Sequence, residues 1–123
     1  MTHIDARIEE IAQGRVVLSA PITEQVGQQH GAAHAGVTFA LGDSASGYAA
    51  LTQMPEGSEV MTVEMKINLL APARGSRLWA SGEVVRAGRR IVVVRARVEA
   101  EAEDGTRKDV AILQGTMIPV PPA

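Results

Sequence analysis

Asp43 is the only Asp, Glu, Lys or Arg between positions 25 and 55, and it lies in the small and apolar stretch HGAAHAGVTFALGDSASGYAALTQ at residues 30–53. A carboxylate is rarely buried without a partner, so packing alone does not explain an acid in this place. A carboxylate that lies beside the reacting atom of a ligand can act as a general base. Asp43 is therefore the first candidate for a catalytic group.

The residues before Asp43 add hydrogen-bond donors to this candidate site. If a helix begins at about residue 35, Ala35 and Gly36 lie in its first turn, where backbone N–H groups are free and the helix dipole adds positive charge. Such a position can hold an oxyanion. His34 and Gln28 can add further hydrogen bonds, although a His before a helix is more often a structural cap or a packed ring than a catalytic base.

The element that must position these groups is one long helix, predicted over about residues 35–53. At about 100° per residue, the side around Asp43 carries almost only small residues, which are Gly36, Phe39, Ala40, Ser46, Gly47 and Ala50. The other side, which we expect to pack on a sheet, carries the larger residues Val37, Leu41, Tyr48 and Leu51. A side of small residues permits the close approach of a second helix in a symmetric dimer, or of a ligand.

Alternating apolar and polar residues predict about five strands around this helix. Their spans are 15–20, 59–69, 78–85, 92–101 and 110–118. In the strand over 59–69, the apolar odd positions are expected to face the core. Residues 3–13 carry isoleucines at helical spacing and are predicted to form a short amphipathic helix. We therefore expect an α+β fold, with one domain over residues 1–123 in which a curved antiparallel sheet wraps the central helix.

The composition narrows the classes of function. Aromatic residues make up 2% of the chain and the net charge is −2, so the chain lacks the stacking platforms and the basic face that nucleic-acid binding requires. It has no Cys, and its three His lack metal-site spacing, so no metal site is predicted. No segment approaches the roughly 18 apolar residues of a membrane span, and the N-terminal residues lack the apolar core of a signal peptide. We expect a cytoplasmic protein that does not bind membranes.

Taken together, these residues resemble a known family. Gly31, the triplet His34-Ala35-Gly36 and an acid nine residues after the His, Asp43, resemble the motif of hotdog-fold acyl-CoA thioesterases of the phenylacetate-degradation (PaaI-like) type. The stretch at 62–75 resembles the strand and turn that follow the helix in that family, and the GlyArgArg turn at 88–90 comes in the same order. The resemblance extends over about residues 14–118.

The resemblance implies a hotdog fold in which the central helices of two subunits lie side by side. It implies a homodimer, or a tetramer built as a dimer of dimers, with a site shared across the dimer. In that family the Asp acts as a general base or nucleophile at a thioester carbonyl. The amide after the motif His, here that of Ala35, holds the carbonyl oxygen, and the residue six positions before the His, here Gln28, orients substrate or water. No metal or redox cofactor is implied.

The substrate implied by the resemblance is an acyl-CoA. Ser46 and Gly47 are candidates to lie beside it, and Gly47 occupies a position where several relatives have Ser or Thr. Arg74, Arg89 and Arg90, all near turns, are candidates to contact the CoA phosphates, although surface arginines are usually only solvated. Two alternatives stay open: a non-catalytic acyl-CoA-binding module on the same fold, and a structural protein in which the small helix side serves dimerisation alone.

Overall fold

The structure of the chain, a computed structural model, describes residues 5–23 and 32–121. One helix and eight strands follow one another along these residues. They are β1 (Arg7–Ala12), β2 (Arg15–Pro21), β3 (Ala32–Ala33), α1 (Ala35–Leu51), β4 (Glu59–Leu69), β5 (Ala73–Arg74), β6 (Arg77–Ala87), β7 (Val92–Glu101) and β8 (Arg107–Val120). The predicted central helix is thus present and ends two residues earlier than expected.

Six of the strands form one antiparallel sheet in the order β1-β2-β6-β7-β8-β4, and β3 pairs with β5 in a small second sheet. The helix α1 packs against the inner side of the large sheet, most extensively on β6 and β7. This arrangement confirms the predicted hotdog fold, with six strands around the helix where about five were expected.

The sixth strand, β1, occupies residues 7–12, where a short helix over 3–13 was predicted, so that prediction is wrong for the described part of the segment. Residues 3 and 4 lie outside the described residues. A β-bulge lies between Ile8 and Glu10, and across it Ile8 pairs with Leu18 while Ile11 pairs with Val16. A bulge adds one residue to one strand of a pair, so two isoleucines three positions apart reach the same side of the strand. Their spacing imitates one face of a helix.

A second bulge lies in β4, between Thr62 and Glu64. Because the side chains of a strand alternate, the extra residue shifts the alternation that the sequence pattern assumed. Met65 and Ile67 pack against the core as predicted, but Met61 and Val63 are 51% and 56% exposed. Thr62, expected on the outer side, faces α1 instead.

The core consists of Val, Leu, Ala and Met side chains from α1 and the inner side of the sheet. The helix comes unusually close to β6, since a Cβ atom added at Gly82 would lie 2.4 Å from the carbonyl carbon of Ala45. Leu41 is buried as predicted, but Tyr48 is 44% exposed, so the expectation that it packs on the sheet is wrong. Within the described residues α1 is the only helix, and it lacks the length and apolarity needed to cross a bilayer.

Candidate active site

The carboxylate of Asp43 projects from the middle of α1 towards β4. It is half-buried, and its Oδ1 accepts a hydrogen bond of 2.9 Å from the hydroxyl of Thr62. The same Thr62 oxygen lies 3.4 Å from Sδ of Met117, a fully buried residue. Among the described residues Thr62 is the only hydrogen-bond donor to Asp43, and it occupies one of the two carboxylate oxygens.

Thr62 is a candidate site residue that the sequence pattern missed. If the side chains of residues 59–69 alternated without interruption, Thr62 would be one of the polar residues that face away from the core. The bulge after Thr62 reverses this assignment and directs its hydroxyl to Asp43. The sequence carries no recognisable signal for that bulge, because the residues on both sides of it keep the apolar and polar alternation.

At the start of α1, His34 acts as the N-cap. Its backbone is extended, with φ −64° and ψ 139°, and its ring Nδ1 accepts a 2.9 Å hydrogen bond from the N–H of Gly36. The Gly36 amide, predicted to be free for an oxyanion, is therefore occupied. No described residue accepts a hydrogen bond from the N–H of Ala35, which remains the one candidate oxyanion donor of the two.

Ala35 replaces a glycine of the family motif without backbone strain. Asp5 is the only non-glycine residue with positive φ in the described part of the chain, so Ala35 has a φ that any residue adopts. Gln28 and Gly31 lie outside the described residues. Their predicted roles stay predictions.

The two halves of the candidate site are far apart within one chain. Ala35 and Asp43 are eight residues apart in the same helix. At about 1.5 Å per residue, this separates them by about 12 Å along the helix axis. A single thioester carbonyl cannot contact both groups of the same chain.

Beyond Asp43, the small side of the helix is not an open surface. Ser46 and Ala50 are fully buried, because Gly82 of β6 brings the sheet against the backbone of Ser46 and Ala50 packs with Val92, Val94 and Met117. Among the described residues, the Ser46 hydroxyl has no hydrogen-bond partner. Ser46 therefore lies between α1 and the sheet, and its predicted contact with substrate stays a prediction.

Gly47 is buried as well, but the space beside it is less crowded. A Cβ atom added there would meet Cγ1 of Val60 at 3.7 Å and Sδ of Met117 at 3.9 Å, which are ordinary contact distances. A Cβ atom added at Gly42, in the same helix, would lie 2.9 Å from both terminal methyl groups of Leu113. Since glycine costs a helix about 1 kcal/mol relative to Ala, Gly42 is explained by packing and Gly47 is not.

The three candidate arginines do not form one group within the chain. Arg74, in β5, lies near the start of α1, because β5 pairs with β3, which directly precedes His34. Arg89 and Arg90 are exposed in the turn after β6. Strand β6 runs between the two places and spans roughly 30 Å at about 3.3 Å per residue. One phosphate group cannot therefore contact all three arginines of a single chain.

The described residues form no cluster of side chains that could bind a metal ion. Within residues 5–23 and 32–121, no group of three or more His, Asp or Glu side chains lies close enough to hold a metal ion.

The chain is similar to known proteins in both sequence and structure. The family model described as Thioesterase superfamily matches residues 30–106, more than half of the chain. A crystal structure of a thioesterase family protein from Silicibacter pomeroyi is 39% identical in sequence, with a TM-score of 0.95, and the match covers 99% of this chain and 89% of that one.

Two further relatives carry more specific names. A mutant of the phenylacetic acid degradation protein PaaI from Thermus thermophilus is 26% identical, with a TM-score of 0.83, over 98% of this chain and 97% of that one. A 1,4-dihydroxy-2-naphthoyl-CoA hydrolase from Listeria monocytogenes is 26% identical over 100 residues, which are 81% of each chain. His34, Ala35, Gly36 and Asp43 lie within the range of residues that the family model covers.

Proposed function

The chain belongs to the thioesterase superfamily, and on that basis we propose that it hydrolyses acyl-CoA thioesters with Asp43 as the group that acts at the thioester carbonyl. The observation that carries the proposal is the hydrogen bond from Thr62 to Oδ1 of Asp43. It fixes one carboxylate oxygen and leaves the other for the reaction. A carboxylate with no catalytic task would gain more from a cationic partner or from full exposure to water.

The reaction follows from the chemistry of these groups. As a general base, Asp43 takes a proton from a water molecule while the water oxygen bonds to the carbonyl carbon. The carbonyl oxygen becomes an oxyanion and is stabilised by the N–H of Ala35 at the positive end of the helix dipole. When the carbonyl re-forms, the carbon–sulfur bond breaks and the thiolate of CoA takes the proton from Asp43. In the nucleophilic alternative, the carboxylate attacks the carbonyl carbon, and the carbon–sulfur bond breaks so that a mixed anhydride forms and the CoA thiolate leaves. Water then cleaves the anhydride to the free acid and restores the Asp43 carboxylate, while the thiolate takes up the proton that the water releases.

The distance within α1 supports a site built from two chains. Asp43 cannot reach a carbonyl held by Ala35 of its own chain, about 12 Å away along the axis. In a dimer with a two-fold axis, two antiparallel α1 helices bring Asp43 of one chain beside Ala35 of the partner subunit. Both sites of the dimer are then complete.

Strand β4 offers the edge for such a dimer. It is eleven residues long, forms one edge of the large sheet and exposes Met61, Val63 and Leu69. A long edge strand with exposed apolar side chains favours pairing with a second chain. The other edge strand, β1, has only six residues, and half of them, Arg7, Glu9 and Glu10, are charged, whereas three of the eleven residues of β4 are charged. Charges on an edge oppose pairing. Since β4 also carries Thr62, pairing at this edge places the dimer contact next to Asp43.

Two positively charged side chains support CoA as part of the proposed substrate. Arg89 and Arg90 are exposed on the turn after β6, where they can contact phosphate groups at a distance from the reacting carbonyl. The Listeria relative is named as the hydrolase of an aromatic acyl-CoA. The proposed reaction uses water and needs neither a metal nor a redox cofactor.

Release of free thiol from a panel of aromatic and aliphatic acyl-CoA esters tests this function. We expect turnover of at least one ester, unchanged by a metal chelator. If the protein binds an acyl-CoA tightly in calorimetry but releases no thiol, the non-catalytic binding module is correct. If it neither binds nor cleaves any ester of the panel, the structural role is favoured.

A further inference from the structure

Gly47 is a glycine that neither the backbone nor the packing of α1 requires. Its φ is not among the positive values in the chain, so a side chain is compatible with its backbone. A Cβ atom would make only ordinary contacts, at 3.7 Å to Val60 and 3.9 Å to Met117. Because glycine weakens a helix interior, its presence indicates that the room left by the missing side chain has a use.

This room adjoins the candidate catalytic pair. Gly47 follows Asp43 by one helical turn and lies on the same side of α1. Val60 precedes Thr62 by two residues in β4, before the bulge, and so shares its side of the strand. Sδ of Met117 lies 3.4 Å from the Thr62 hydroxyl and 3.9 Å from the place of the missing Cβ. One sulfur atom therefore borders both the Asp43–Thr62 pair and the space at Gly47.

The walls of this space are apolar and one of them is adaptable. Val60 and Met117 have no charge, and Met is unbranched, so it adjusts to the shape of its neighbours. The carboxylate of Asp43 lies one helical turn from Gly47 and would repel an acyl group that carries a second carboxylate.

We propose that Gly47 sets the size limit of the acyl group next to the thioester carbonyl, with Val60 and Met117 as the walls of that subsite. The proposal rests on hydrolysis at Asp43. It assigns as substrates apolar acyl-CoA esters that are branched close to the carbonyl, and it disfavours acyl groups with a second carboxylate. A methyl group added to the protein at this position would fill the space that a methyl branch of the substrate otherwise occupies.

The test is a Gly47→Ala variant with two esters that differ by one methyl group, propanoyl-CoA and 2-methylpropanoyl-CoA. One methyl group in an apolar pocket changes kcat/KM by roughly 10-fold or more. We therefore expect the ratio of kcat/KM for the branched ester to that for the linear ester to fall at least about 10-fold in Gly47→Ala. Its Tm should rise by a few degrees, because Ala is the better helix former.

Gly42→Ala is the matched control, since it makes the same change in the same helix. Its Cβ would lie 2.9 Å from Leu113, so we expect a lower Tm and no change in the ratio between the two esters. The proposal is overturned if Gly47→Ala changes kcat/KM for both esters by the same factor. It is also overturned if Gly47→Ala lowers Tm as Gly42→Ala does, because the glycine is then a packing requirement.

A binding measurement separates this proposal from the proposed function. Calorimetry of both esters with Asp43→Asn and with Asp43→Asn/Gly47→Ala reports on the subsite without turnover. A selective loss of affinity for the branched ester in the double variant supports the subsite even if the wild type cleaves neither ester. The subsite is contradicted if Asp43→Asn and Asp43→Asn/Gly47→Ala bind the branched ester with the same affinity.

Discussion

At the scale of single residues, the proposed chemistry depends on the pair formed by Asp43 and Thr62. Asp43 was recognisable in the sequence because a lone acid in an apolar stretch has few structural explanations. Thr62 was not recognisable, because its position depends on a bulge that the alternating pattern of β4 conceals. His34 illustrates a third case. The sequence allowed a cap or a catalytic group, and the hydrogen bond from Gly36 establishes the cap.

Replacement of Asp43 by Asn tests the proposed catalytic role of this residue. The amide keeps the shape of the side chain and can still accept a hydrogen bond from Thr62, but it cannot take a proton. If general-base catalysis is the role of Asp43, kcat should fall by roughly 10²–10⁴-fold. The measurement is thiol release from the best ester, with circular dichroism as the control for folding. Unchanged turnover in a folded variant would refute the assignment.

Thr62→Val tests whether the hydroxyl positions Asp43. Val has nearly the same volume as Thr but donates no hydrogen bond, and a hydrogen bond to a charged group contributes about 1.5–3 kcal/mol. We expect kcat/KM to fall by roughly 10- to 100-fold, which corresponds to that range. Thr62→Ser keeps the hydroxyl and should restore most of the activity. If both variants lose the same activity, Thr62 matters for packing and not for its hydrogen bond.

At the scale of elements, two β-bulges account for most of the differences between the sequence patterns and the structure. In β1 the bulge imitates helical spacing, and in β4 it reverses which residues face α1. The regular elements were predictable. The hairpin between β7 and β8 turns at Asp104–Gly105 as the sequence indicated, and Gly105 has φ +88°.

The carboxylate of Asp104 is stabilised within this turn. It accepts hydrogen bonds from the hydroxyl and from the backbone N–H of Thr106, and these bonds hold the pKa of Asp104 below its ordinary value, with the hydroxyl contributing most.

The contact between α1 and β6 positions the helix that carries Asp43, and Gly82→Ala tests it. The added methyl group would meet backbone atoms of Ala45 and Ser46 at 2.4–2.5 Å, so the helix must move outward. Overpacking of this kind typically costs about 1–3 kcal/mol. We expect a lower free energy of unfolding in urea and reduced activity, since Asp43 moves with the helix. Gly47→Ala serves as the control, because its added methyl group makes only ordinary contacts. Equal stability of the two variants would contradict this role of Gly82.

At the scale of the whole molecule, the sequence could not show how far apart its candidate residues lie. Arg74 and the pair Arg89 and Arg90 are near turns in the sequence, yet the length of β6 separates them. Likewise, Ala35 and Asp43 are close in sequence but lie about 12 Å apart along a helix. Such separations follow from the rise per residue once the elements are known. In the proposed mechanism, they determine which groups come from a second chain.

The role of Arg89 and Arg90 is tested by neutralising both to Gln. A phosphate contact far from the reacting carbonyl binds ground state and transition state alike, so KM should rise while kcat stays nearly the same. A thioester without the nucleotide, such as the N-acetylcysteamine ester of the same acid, should show no change in KM. An equal rise in KM for both substrates would indicate an effect on the fold. No rise with either would leave both arginines as solvated surface residues.

The central claim is that each active site combines Asp43 of one chain with the Ala35 amide of the partner subunit. Two variants separate the halves: Asp43→Asn removes the base, and Ala35→Pro removes only the N–H. Pro is well tolerated at the first position of a helix, and the extended backbone of His34 suits the residue before a Pro. Each variant alone should be nearly inactive.

The decisive measurement is thiol release after the two inactive variants are unfolded together in equal amounts and refolded. In a shared site, a mixed dimer has one site with both groups intact and one with neither. Random pairing makes half of the dimers mixed, so about a quarter of the wild-type activity should return. If each site lay within one chain, no pairing would restore it, and a mixture as inactive as its two components would contradict the account.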